Sequence, residues 1–206
     1  MDGVFFTFEG PEGAGKTTQI ARLSDALLER GYSVTRTREP GGDPFGERVR
    51  ALLLDRDASP IPIAELLLFA AARAQNVRTV IRPALDAGHV VLCDRFTDST
   101  LAYQGYGRDL SPDAVRAVNT VATNGLHPRK TFLLDLPPTV GLARQSPDAQ
   151  DRLDRETLDF HERVRAGFLA VAAAEPDRIV TLNAAQSEDA LFAQLLAAVL
   201  PLLPQP

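Results

Sequence analysis

A chain of 206 residues with a formal net charge of −5 and a pI near 5.2 has the size of one domain, or of a core domain with a small mobile insertion, and its acidity argues against nucleic acid as the main partner. Its one cysteine, Cys93, excludes an intramolecular disulfide, and no Cys/His spacing suits zinc. No run approaches the roughly 18 apolar residues of a membrane span, and the N-terminus lacks the basic start and apolar core of a secretory signal, so no membrane partner and a cytoplasmic location are expected.

Val4–Phe8 is short, apolar and β-branched or aromatic, and it runs into Gly10, which predicts a buried strand. Thr17–Arg30 carries Ile20, Leu23, Leu27 and Leu28 near helical spacing, with Gly31 as its stop. Ser33–Thr37 reads as a second strand, ended by Pro40-Gly41-Gly42. Gly46–Leu54 and Ile63–Leu85 read as helices, the second kinked or shortened by Pro83. His89–Asp94 is a third strand, in which Cys93 is a packed core residue, and Asp98–Tyr106 a helix. Ser111-Pro112 supplies a cap and a first-turn proline for the next helix. Lys130–Leu136 is a fourth strand, Pro138–Gln145 and Arg155–Ala174 are helices, Arg178–Leu182 is a fifth strand, and Ser187 caps a last helix. Strands that alternate with helices and lack period-2 patterning predict an α/β domain over 1–206: a five-stranded parallel sheet between two helical layers. The polar interval Ser146–Asp151 lies between helices and reads as a flap, giving a mobile lid at about 144–155.

Gly10-Pro11-Glu12-Gly13-Ala14-Gly15-Lys16-Thr17 fits the phosphate-loop pattern G-x-x-x-x-G-K-[ST], with a strand before it and a helix after it. Glycines let successive N–H groups turn inward on phosphate oxygens, and the helix N-terminus adds its positive dipole end. Lys16 is expected at the β- and γ-phosphates, Thr17 at Mg²⁺, and Thr18 at the α-phosphate. Lys16 stands out, because the chain has 20 Arg and only 2 Lys. Ligands of such sheets sit at the carboxyl ends of the strands, so Asp94 is expected near Mg²⁺ and Arg95 near a phosphate in transfer. His89, His127 and His161 are expected at surface or capping positions.

A GTPase needs an [NT]-K-x-D segment after a later strand, and the only later lysine, Lys130, does not supply one. A compact chain with a short flap fits a kinase of a small metabolite, whose closing excludes water as a rival acceptor.

Three segments resemble the thymidylate kinase (dTMP kinase) family: Phe8–Thr18, Thr37-Arg38-Glu39-Pro40-Gly41-Gly42, and Asp94-Arg95-Phe96-Thr97-Asp98-Ser99-Thr100-Leu101-Ala102-Tyr103-Gln104-Gly105. Leu68–Arg73 and Arg152-Leu153-Asp154 fit as well, in order along nearly the whole chain. The resemblance implies a P-loop NTPase of nucleoside monophosphate kinase type, with ATP and dTMP as substrates, Mg²⁺ as cofactor and a homodimeric assembly. It implies stacking of Phe69 on thymine, where the residue pattern alone leaves core packing equally open. It further implies Arg73 at the thymine carbonyl, Arg50 at the dTMP phosphate and Arg95 between donor and acceptor phosphates. Ser99, Thr100, Tyr103 and Gln104 would line the nucleoside pocket, with Glu12 and Glu39 near the sugar. One family variant carries an arginine in the phosphate loop, where this chain has Glu12-Gly13-Ala14; the other carries basic residues in the lid. The second is implied here, with Arg152 as candidate for the γ-phosphate beside Arg144 and Arg155. Asp154 is open between a magnesium or sugar contact and a helix-start acid. Two rivals share the loop: a kinase for a different nucleotide or nucleoside, and a non-catalytic nucleotide-binding module.

Overall fold

The computed structural model describes residues 3–146, 148 and 150–205. Its five strands are β1 (Val4–Glu9), β2 (Val34–Arg38), β3 (Val90–Asp94), β4 (Lys130–Asp135) and β5 (Ile179–Asn183), all parallel in the order β2-β3-β1-β4-β5. Phe6 and Phe8, with Leu92 and Phe132 of the neighbouring strands, pack against Leu23 and Leu27 of α1 (Lys16–Leu28) and Leu195 and Val199 of α9 (Glu188–Val199). The opposite face is equally dry: Phe5, Val91 and Cys93 meet Phe96 and Ile81, while Leu133 and Ile179 meet Phe168 of α8 (Leu158–Ala174). Burial of both faces explains why the strands read as unbroken apolar runs rather than as alternating ones.

The chain leaves β1 through α1 to reach β2 at one edge, and leaves β3 through α5 (Thr97–Thr100) and α6 (Pro112–Thr123) to reach β4 on the far side of β1. Right-handed crossovers in opposite directions put these helices on opposite faces. The loops after β1 and β3 therefore diverge at adjacent strand ends, which opens a crevice there. The phosphate loop and Asp94-Arg95 both face it.

Several helix boundaries differ from the sequence reading. The expected helix Ile63–Leu85 is α3 (Pro62–Asn76), a π-helical turn at Val77–Ile81, and α4 (Arg82–Asp86). Pro83 stands directly after the π-helical turn, in the first turn of α4. The expected helix Asp98–Tyr106 likewise widens after α5 into a π-helical segment, Leu101–Gly107. Ser111 makes no side-chain cap; α6 relies on Pro112 and an acid, Asp113, in its first turn. α8 starts at Leu158 because the Thr157 hydroxyl accepts from the Phe160 N–H. α2 (Pro44–Leu54) is capped by Asp43, α7 (Pro138–Ala143) is shorter than expected, and Ser187 caps α9 as expected. Of the expected lid, 147 and 149 lie outside the described residues.

Under the sheet, Asp98 takes two hydrogen bonds from the Arg178 guanidinium, both at 2.8 Å, and one from Thr131, which also bonds Thr7 at 2.7 Å. This ties β1, β4 and the start of α5 together. Removing Arg178 leaves a buried carboxylate uncompensated. Arg178→Met is expected to cost about 3 kcal/mol of stability, read as a lower denaturation midpoint in urea.

Candidate active site

The phosphate loop can fold only with glycine at its bends. Gly10 has φ 135° and Gly13 φ 67°, and a Cβ at either would lie 2.3 Å from the carbonyl oxygen of Leu134 or Gly141. Lys16 lies back across this loop, donating to the carbonyls of Gly10 (3.0 Å) and Pro11 (2.8 Å). Burial and the nearby Arg95 push its ammonium down to about 8. Thr17, in the first turn of α1, donates to Asp94 Oδ2 at 2.8 Å, across the crevice.

Arg95 sits in the left-handed region at φ 68°, fixed there by its own N–H on the Phe8 carbonyl and by the next N–H, of Phe96, on Glu9 Oε1. Its guanidinium donates to Glu12 at 2.8 Å and to Ser99 at 3.1 Å, and lies 5.1 Å from the Tyr103 ring centre. The Tyr103 hydroxyl also donates to Glu12. Burial alone would raise the Glu12 carboxyl, but Arg95, Lys16 and the Tyr103 hydroxyl hold it below its ordinary value. Glu9 is different: burial and the Asp98 charge outweigh its bonds to Ser99 and Phe96 and push it up to about 7.

The crevice widens into a cleft of about 750 Å³. Phe69, Arg73, Thr100, Tyr103 and Gln104 line it together with Arg50, Arg95, Lys16 and Thr17. A second hollow of about 540 Å³ lies beyond the loop, lined by Gly13–Thr18, Arg144, Ala184 and Gln186. The two share Gly13, Lys16 and Thr17, so the lysine and threonine stand at the junction of two binding spaces.

Arg73 is not a solvated helix charge: it is 1% exposed and donates to Glu39 (2.6 Å), Thr100 (2.8 Å), Asn119 (2.6 Å) and the Phe96 carbonyl (2.9 Å). Four of its five N–H groups are thereby used, leaving one for the cleft it lines. Glu39 is raised by burial, which outweighs Arg73 and Asn76. Phe69 packs against Val49, Leu53 and Ala72 and also lines the cleft. Arg50 donates to the Pro40 carbonyl at 3.0 Å at the cleft wall. Gln104 turns its amide nitrogen to Glu65 at 2.8 Å.

The lid arginines separate. Arg144 donates to the Gly13 carbonyl at 2.9 Å, Arg155 is exposed, and Arg152 turns away to Glu65 (2.6 Å) and the Leu53 carbonyl (3.0 Å). Asp154 faces the cleft, its carboxyl raised by burial, which outweighs the hydrogen bond it accepts from the Asp151 N–H. His161 corrects the surface expectation: it is 3% exposed, with Nδ1 3.8 Å from Glu12. Cys93 is buried as expected, and His89 is half-buried. The sequence reading gave no role to Glu9, although it lies in the Phe8–Thr18 segment, and missed Glu65 and Asn119, a buried acid and an amide outside the quoted segments that only their place in helical patterns could have marked. It also missed Ala184 and Gln186, which merely follow β5.

A switch-point crevice with a phosphate loop, an acid and arginine facing it, and a second cleft alongside defines a nucleotide kinase of the phosphate-loop class. The sequence model of the thymidylate kinase family matches residues 8–195. The chain is 56% identical over 201 residues to a thymidylate kinase of Synechococcus sp. (strain JA-2-3B'a(2-13)), covering 98% of this chain and 96% of that one. It is 54% identical over 198 residues to a thymidylate kinase of Deinococcus radiodurans, covering 96% of each. The crystal structure of thymidylate kinase from Ehrlichia chaffeensis superposes with a TM-score of 0.79 at 32% identity, over 97% of this chain and 99% of that one. The chain belongs to the thymidylate kinase family.

Two pH effects follow. Above about pH 8 the free protein loses the Lys16 charge, so affinity for a non-hydrolysable ATP analogue is expected to fall as pH rises through that value, and Lys16→Met to abolish the trend; isothermal titration across the range measures it. Glu9 keeps in the folded state a proton that the unfolded chain loses above 4.5. Its contribution is therefore complete below pH 4.5 and disappears as pH rises through about 7, and Glu9→Gln should flatten that part of the melting-temperature profile.

Proposed function

We propose that the protein transfers the γ-phosphoryl group of ATP to dTMP, giving dTDP and ADP. The observation that carries this is the pair of clefts meeting at Lys16 and Thr17, with the arginine-lined one ending in Phe69, Arg73 and Gln104. ATP occupies the loop side. Its phosphates lie on the N–H groups of Gly10–Thr18, and Lys16 exchanges its two carbonyl partners for β- and γ-oxygens. dTMP occupies the larger cleft, with its base on Phe69, a carbonyl on the free N–H of Arg73, its sugar beside Tyr103 and Glu12, and its phosphate against Arg50 and Arg95. Tyr103 crowds the sugar 2′ position and so favours deoxyribose.

A dTMP phosphate oxygen attacks the γ-phosphorus, the bond to the bridging oxygen of ADP breaks, and no strong base is required because a monophosphate is already anionic near neutral pH. Catalysis is alignment plus neutralisation by Lys16 and Arg95. A hydroxyl and a carboxylate, Thr17 and Asp94, are hard oxygen donors that suit Mg²⁺ and would hold it. An ion held there would supply neutralisation of the charge that develops on the transferring phosphoryl group. Closure of the lid excludes water and brings basic residues to the phosphates. What supports Arg144 in that part is its bond to the loop carbonyl of Gly13, whereas Arg152 would first have to leave Glu65. A homodimer fits the exposed apolar residues Leu67 on α3 and Val121 on the adjacent α6.

A coupled assay over dTMP, dUMP, CMP, AMP and thymidine should give dTMP the highest kcat/KM; a better acceptor among the others would overturn the pocket assignments. Lys16→Ala should lose roughly 10²–10³-fold in kcat, the scale of one electrostatic donor, and full turnover by that variant would end the loop assignment.

A further inference from the structure

Glu65 is a carboxylate with no exposure at all, on α3 one turn before Phe69. Its Oε1 accepts from Gln104 Nε2 at 2.8 Å and from Arg108 Nε at 3.2 Å. Its Oε2 accepts from Arg108 at 3.2 Å and from Arg152 at 2.6 Å. The donors come from three places: the π-helical segment, the turn after it, and the root of the lid. An unpaired carboxylate here would cost several kcal/mol, so the site depends on them. Burial pushes the Glu65 carboxyl up, but the bonds from Arg108, Gln104 and Arg152 outweigh it and keep the group below its ordinary value.

An ionised carboxylate accepts and cannot donate, so only the NH₂ end of the Gln104 amide can face it. The carbonyl oxygen of Gln104 is then directed away from Glu65. No described residue bonds that oxygen, and the side chain lines the acceptor cleft. Two neighbouring arginines thus act on the base at one remove, by keeping the carboxylate an acceptor.

We propose that Glu65 is a positioning residue that locks the Gln104 amide with its oxygen toward the base, so that the cleft selects a ring carrying N3–H, thymine or uracil, over cytosine. Cytosine presents a bare acceptor at N3, which would face the Gln104 oxygen lone pair to lone pair. This inference rests on the assignment of the larger cleft to the acceptor nucleotide.

The test compares dTMP with dCMP. Glu65→Gln keeps the shape but can turn either end to Gln104, which releases the lock. The ratio of kcat/KM for dTMP over dCMP should fall by about tenfold or more, mainly through KM, with kcat for dTMP held within about threefold. Gln104→Leu separates the two readings. If it leaves the ratio unchanged, base reading at this wall fails and the inference with it. If Gln104→Leu lowers the ratio and a folded Glu65→Gln does not, the inference about Glu65 alone fails. The wild-type protein offers an independent measurement. The Gln104 NH₂ protons, assigned in NMR spectra by their loss in Gln104→Leu, should exchange slowly with solvent before any nucleotide is added. Fast exchange would overturn the lock even if Glu65→Gln did not fold.

Discussion

The site hangs on where Arg95 is held. Two strands lie side by side, and their connections depart in opposite directions, so the residue after β3 emerges beside the loop after β1. Arg95 occupies that spot in a left-handed conformation, which costs an ordinary residue about 1–2 kcal/mol. The surroundings over-determine it: the Phe8 carbonyl takes its N–H, Glu9 takes the next N–H, and Glu12, Ser99 and the Tyr103 ring hold its head. Every one of those partners comes from β1, the phosphate loop or α5 and its π-helical continuation. The crevice and the arginine that bridges it are therefore one construction.

The same logic explains the number of buried acids. Glu9, Glu12, Glu39 and Glu65 are all enclosed, and each is bonded to a group at or beside the cleft: the Phe96 N–H that follows Arg95, the Arg95 head, Arg73 and Gln104. Without a nucleotide these carboxylates are what keeps several cationic side chains from repelling one another in a low-dielectric cleft. Their cost is desolvation, which shows in the raised carboxyls of Glu9 and Glu39, while Glu12 and Glu65 are held down by two or more strong donors each.

Much of this was legible in the sequence. Parallel strands, the loop and its glycines follow from apolar runs and from a spacing that only one backbone path satisfies. The motif residues Lys16, Thr17, Asp94, Arg95, Phe69, Arg73 and Tyr103 do converge on the cleft. What escaped is of two kinds. The π-helical widenings at Val77–Ile81 and Leu101–Gly107 leave no mark on a 3.6-residue pattern, because one extra residue per turn shifts phase without breaking hydrophobicity. The partners of the motif residues escaped too. Glu65 looks like a first-turn helix acid, Asn119 like a polar surface position of α6, and His161 like one charge among several. Only the packing of α3, α6 and α8 against the π-helical segment makes them interior.

Arg152 shows why a charge in a lid does not declare its target. The lid between Ser146 and Asp151 offers no cation of its own, so the sequence pattern hands the phosphate to the nearest arginine. In the fold that arginine has a stronger claim upon it. Glu65 has no exposure, and its pairing to Arg152 at 2.6 Å is a bond that Arg152 would have to give up to meet a phosphate, leaving the carboxylate short of a charged donor. Leaving Glu65 would also loosen Gln104 at the other end of the same carboxylate. A single buried acid thus ties the lid root at Arg152 to the Gln104 amide that lines the cleft.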